Sequence, residues 1–168
     1  MDIAQWVGFG SFTLGVLSFW QKDDHKLKLY MLAFYSVHTL HFLLLGSMTS
    51  AFSTSLSLVR TGIAIKYSGK LLCWLTILVL VSVGTYLASS WVQIFAILGT
   101  TIGTYSIFNL KGIPLRFGML CGALCWLTNN ILMGSIGGIL LESTLIVMNL
   151  ITSFRIYRSE RALSEPST

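Results

Sequence analysis

Charge is scarce in this chain: only 10% of its 168 residues are Asp, Glu, Lys or Arg, where a soluble domain carries roughly 25%. With 54% of the residues apolar, nothing is left over for a water-soluble domain, which excludes a fused cytosolic enzyme. Proline is almost missing, with Pro114 and Pro166 alone, so no proline interrupts the apolar runs. The cysteines are few: Cys73, Cys121 and Cys125 form no CxxC pair and have no acidic or histidine neighbours at metal spacing. That excludes a zinc ribbon or redox motif and leaves free thiols in apolar surroundings. Acidic residues number 6 against 11 basic ones, and the positions of the basic ones decide what the net charge of +5 means. No basic region precedes the first apolar run and no small-residue cleavage site ends it, so a removed signal peptide is not expected.

What is present is a series of long uncharged runs. A spanning helix needs about 20 residues, and seven runs qualify: 3–20, 29–46, 49–66, 71–88, 91–108, 116–134 and 137–154. The third is the weakest, because it holds Arg60 and many hydroxyl side chains. Cytoplasmic loops retain Lys and Arg while translocated loops lack them. Lys22, Lys26 and Lys28, then Lys66 and Lys70, then Lys111 and Arg116, then Arg155, Arg158 and Arg161 fall in alternate connections. Seven spans put all of them on one side; six would scatter them. The expected fold is therefore an all-α polytopic membrane protein with its N-terminus outside, its C-terminus in the cytoplasm, and a disordered polar tail from 159 to 168. The basic residues report topology, and no nucleic acid is expected as a partner.

Shifting the chain by 88 residues pairs 3–66 with 91–154 and gives 13 identities in 64 positions. Gln5 falls on Gln93, Gly15 on Gly103, Ser18 on Ser106, Leu27 on Leu115, Met31-Leu32 on Met119-Leu120 and Gly46-Ser47 on Gly134-Ser135. Helix falls on helix and loop on loop. The expected organisation is 3+1+3: a first three-helix repeat (1–66), a linker helix (67–90) and a second repeat (91–158). An even number of crossings separates their starts, so the repeats are parallel, and parallel repeats place a substrate site near the midplane between them.

The run Asn129-Asn130, Gly134-Ser135-Ile136-Gly137-Gly138, Glu142, Met148-Asn149 and Arg155 resembles the YgjV-like bacterial inner membrane proteins over nearly the whole chain. The resemblance implies localisation in the inner membrane better than it implies an activity. More remotely, the 3+1+3 plan is similar to SWEET sugar uniporters and PQ-loop proteins. Their membrane prolines and Pro-Gln pair have no counterpart here, so bending would have to use glycine-rich stretches such as 8–15 and 99–103.

Polar side chains inside a bilayer cost on the order of 2.5–3.5 kcal/mol at a helix centre and need a partner or a cavity. Here they fall in stripes: His38 and His41; Trp126 with Asn129 and Asn130; Ser50, Thr54, Ser57 and Arg60 or Thr61; Gly138, Glu142, Asn149 and Thr152. Under the 88-residue shift His38 meets Trp126, His41 meets Asn129, Thr54 meets Glu142 and Thr61 meets Asn149. The expected substrate-binding set is His38, His41, Arg60, Trp126, Asn129 and Asn149, with Asn149 near mid-depth. Two readings stand for the asparagines: a ring and amides facing sugar hydroxyls, which is the chemistry the SWEET likeness implies, or hydrogen bonds between helices. Two stand for Arg60: snorkelling to the interface, or pairing with an anion. Glu142 and His41, at similar depth, form a candidate proton site. Trp6, Trp20, Trp74 and Trp91 read as interfacial anchors, and the Gly99/Gly103, Gly118/Gly122 and Ser11/Gly15 spacings as close helix contacts.

These residues point to a permease for a sugar-like or weakly anionic metabolite. The alternative is a receptor or assembly factor on the same scaffold that does not transport. No enzyme activity, cofactor or metal is expected, since the histidines form no ligand cluster and no nucleophile has a base at helical spacing. Membrane lipid, a small solute and a second copy of the chain are the expected partners.

Overall fold

Each uncharged run becomes one helix, the one local structure that satisfies all its own backbone groups where water is absent. The computed structural model describes residues 3–44, 46, 48–67, 69–88, 90–134 and 136–164. Its helices are α1 (Ile3–Trp20), α2 (Asp24–Leu44), α3 (Met48–Lys66), α4 (Lys70–Leu87), α5 (Gln93–Asn109), α6 (Gly112–Leu132) and α7 (Ile136–Ser164). Four of them, α1, α2, α4 and α7, have the length and mean hydropathy to cross a membrane. α3 is outside that group, as its Arg60 and hydroxyl side chains foreshadow. Met1-Asp2, Ser47, Ser135, the last four positions of the tail and the side chain of Ser50 lie outside the described residues.

Three boundaries differ from expectation by four residues or more, and the first is α2, which begins at Asp24 rather than at 29. The tail is not irregular from 159 onward: α7 continues to Ser164, because Arg155, Arg158 and Arg161 give the extension a solvated face and bases in its last turn favour the helix dipole. α6 begins at Gly112, so Pro114 lies in its first turn rather than in a loop. There its missing N–H has no intrahelical partner to lose.

α1 packs on α2 and α2 on α3; α5 packs on α6 and α6 on α7; α4 leans on α5 and only lightly on α3. α1 also meets α7, and α3 meets α5. The first of these contacts runs in parallel sense. Thr152 Oγ1 donates to the Phe19 carbonyl at 2.7 Å, Arg155 to the Trp20 carbonyl at 3.2 Å, and Lys22 Nζ to Ser159 Oγ at 2.7 Å.

Large buried apolar side chains concentrate at one end of the bundle. Phe19, Leu27, Met31, Ile107, Leu115 and Met119 form one cluster, all within about two turns of the helix ends that carry lysine and arginine. Toward the opposite end the buried positions are small: Ala4, Ser11, Ala51 and Gly99. Where α5 crosses α6 the backbones touch. A Cβ on Gly99 would stand 2.7 Å from the Gly122 carbonyl oxygen and 2.8 Å from Trp126 Cδ1, so only glycine permits the crossing.

Candidate functional site

The two histidines of α2 face α1. His41 donates from Nδ1 to the Ala4 carbonyl at 2.8 Å, which assigns its tautomer, and its ring lies where a side chain on Gly8 would be. His38 Nδ1 shares a 3.0 Å hydrogen bond with Ser11 Oγ, and its ring stacks between Phe34 and His41 at centroid distances of 4.9 and 5.9 Å. Glu142, half-buried on α7, makes no hydrogen bond or ion pair with His41 among the described residues.

Arg60 does not snorkel. It is 5% exposed and extends from α3 to α5, where Nη1 donates to the Thr100 carbonyl at 3.1 Å and to Thr104 Oγ1. Nη2 reaches the Tyr35 hydroxyl of α2 at 3.4 Å. Nε has no partner, and Gly103 makes room for the head group. Arg60 is thus the one expected site residue that joins the first three helices to the last three.

On α6, Trp126 packs against Gly99 of α5, and the Asn130 amide fills the space above Gly138 of α7. Asn129 is buried with Oδ1 unpartnered. Asn149 is 2% exposed and donates from Nδ2 to the Arg116 carbonyl at 2.7 Å. Arg116 lies one turn into α6, so Asn149 sits toward the lysine- and arginine-bearing end and not at mid-depth. Its place in the run already leans that way: Asn149 is twelve residues from the start of 137–154 and five from its end, beside the basic residues that begin at Arg155.

The expected six residues therefore occupy three levels: His38, His41, Trp126 and Asn129 toward one end, Arg60 in between, Asn149 toward the other. Of the six, only Arg60 lines a described cavity. That cavity, about 220 Å³, lies between α3 and α4 and is walled by Leu56, Val59, Ile63, Leu75 and Val79.

One cluster was not singled out from the sequence. The Arg116 side chain is fully buried; its Nη2 meets Asp24 Oδ1 at 3.5 Å and the Lys22 carbonyl at 3.4 Å. Asp24 Oδ2 accepts the Gly112 N–H at 2.7 Å. The start of α2 is so fastened to the start of α6. The available signal was Asp24 itself, an acid among basic connections, 88 positions before Gly112. In sequence Arg116 looks like any loop cation.

A bundle of apolar helices with charges gathered at one end, polar contacts inside and broad apolar surface outside defines an integral membrane protein. A family model described as a bacterial inner membrane protein, Imp-YgjV, matches residues 2–160. The chain belongs to that family and is a bacterial inner membrane protein. It is 27% identical over 164 residues to "Inner membrane protein YgjV" of Escherichia coli strain K12, covering 98% of this chain and 90% of the relative. No solved structure matches it.

Proposed function

We propose that the protein is a small-solute permease in which two parallel three-helix repeats, α1–α3 and α5–α7, rock about the seam where α1 meets α7 and α3 meets α5. The observation that carries this reading is Arg60, a buried cation that bridges the seam through neutral oxygens alone. A sugar-like or weakly anionic metabolite suits a site with one guanidinium, hydroxyls and a nearby ring.

Several equivalences support the repeat. Leu27 and Leu115 are both fully buried. Ser18 bonds the Leu14 carbonyl and Ser106 the Ile102 carbonyl, the same bond displaced by 88 residues. Gly46 and Gly134 both turn with positive φ, 71° and 69°. The large side chains at the basic end are consistent with a conformation closed toward the cytoplasm, with the N-terminus outside.

Counterflow in proteoliposomes across a panel of sugars, sugar acids and small amides tests this. Uptake of at least one compound is expected, lost tenfold or more in Arg60→Gln and reduced in Asn149→Leu. The receptor or assembly-factor reading is favoured by a different observation: His41 and Asn149 each donate a hydrogen bond to a neighbouring helix carbonyl, as packing residues do. Absence of flux for every compound would select it.

A further inference from the structure

Arg60 carries a charge that no described side chain neutralises. Among the described residues the ion pair present is Arg116 with Asp24, and none involves Arg60. Its three hydrogen-bonding neighbours, the Thr100 carbonyl, Thr104 and Tyr35, are neutral. They hold the guanidinium by Nη1 and loosely by Nη2. The Nε side, with Nε buried and unpartnered, is the edge that with Nη2 forms the fork matching a carboxylate or phosphate.

The groove beside it has the complementary character. Leu56, Val59 and Ile63 of α3 face Leu75 and Val79 of α4 across about 220 Å³, with Arg60 among the lining. Val59, Leu75 and Val79 are 57%, 50% and 50% exposed, so the groove opens sideways, onto the surface that lipid covers. α4 touches α3 too lightly to close it. Depth selects the ligand. Thr100 and Thr104 lie nine and five residues from the end of α5 at Asn109, about 14 and 8 Å along the axis. That is deeper than the lysine- and arginine-bearing helix ends, a depth that a slim single-chain carboxylate entering between α3 and α4 reaches more readily than a two-chain phosphodiester head group.

We propose that the α3–α4 groove binds a single-chain amphiphilic carboxylate, its tail between the two helices and its head on the Nε–Nη2 edge of Arg60. Access is lateral, from the membrane. This goes beyond the permease reading, since such binding requires no transport.

The test is saturation binding of radiolabelled decanoate to the full chain in nanodiscs of zwitterionic lipid, with empty nanodiscs as the blank and decanol as the uncharged comparison. Saturable binding of one decanoate per chain is expected, with no saturable decanol component. Arg60→Gln should weaken it tenfold or more, and Arg60→Lys, which keeps the charge and loses the fork, by an intermediate factor. Val79→Trp fills the groove from its exposed rim without touching the guanidinium, and should also weaken binding at least tenfold while leaving thermal unfolding unchanged. Decanoate uptake equal to the blank, or unaffected by Val79→Trp, overturns the proposal. So does displacement by phosphatidylglycerol in place of part of the zwitterionic lipid, which would assign the groove to phospholipid. Binding that persists where no sugar, sugar acid or amide is carried would sink the permease reading alone; flux of those solutes without decanoate binding would sink this one alone.

Discussion

At the residue scale, the energetics turn on buried polar groups held by few partners. Arg116 depends on Asp24 for its counter-charge, and breaking a buried pair from one side leaves an uncompensated charge, costing 3–5 kcal/mol where both partners are buried. Asp24 is 24% exposed, so Asp24→Ala should cost less, about 1–3 kcal/mol. Denaturant unfolding in detergent micelles should show the loss, and Arg116→Leu added to Asp24→Ala should restore part of it. If the double variant is no better than the single, the pair is not what fastens α2 to α6. Asn149→Leu removes a single interhelical hydrogen bond, and an expected cost of about 0.6 kcal/mol separates it from Asp24→Ala in the same measurement. The sequence marked Asn149 as polar within a span and was right about its burial. Its depth was legible as well: Asn149 stands five residues from the basic end of the 137–154 run and twelve from the other, so the expected mid-depth does not follow from the run itself.

At the element scale, helix contacts are made where side chains are smallest. A methyl on Gly99 would collide with the backbone of α6, which cannot yield as a flexible side chain can, so Gly99→Val should cost about 1–3 kcal/mol by overpacking. Gly137→Ala, with nothing within 4 Å of the added carbon, should unfold within about 0.5 kcal/mol of the parent. Thermal unfolding of the two variants side by side checks the contrast. The spacing of Gly99, Gly103, Gly118 and Gly122 was legible as a close-contact signal. That Gly99 meets Gly122, while Gly118 meets Ser106, was not, since spacing along one helix leaves the rotation of its neighbour open. The same limit hid the roles of Tyr35, Thr100 and Thr104 around Arg60: hydroxyl residues are frequent in this chain, and only packing selects which ones meet a guanidinium.

At the scale of the whole molecule, the arrangement of charge carries the topology. Lys22 bonds Ser159, Lys28 Nζ bonds the Ala64 carbonyl at 3.2 Å, and Arg155 lies 4.3 Å over the Trp20 ring; these contacts draw basic residues of several connections to one end. The proposed orientation puts that end in the cytoplasm. In a background without the native cysteines, Ser159→Cys should react with an impermeant maleimide only after the inner face is exposed. Tyr86→Cys, at the far end of α4 and 88% exposed in the parent, should react from outside on intact cells. The reverse pattern would invert the topology and with it the direction in which the bundle is closed.

The sequence by itself determined the number of helices, their approximate ends, the collection of basic residues at one end and the family. The first three follow from local hydropathy, from where Lys and Arg interrupt it, and from the need of a backbone in lipid to satisfy its own hydrogen bonds, none of which consults distant residues; the family follows from the residue pattern itself. Tertiary structure alone decided that Arg60 is held inside by neutral oxygens, that Arg116 is buried against Asp24, and that the polar side chains are distributed over three levels. Those outcomes depend on the rotation and relative height of packed helices, which are set by contacts between residues as far apart as Phe19 and Thr152.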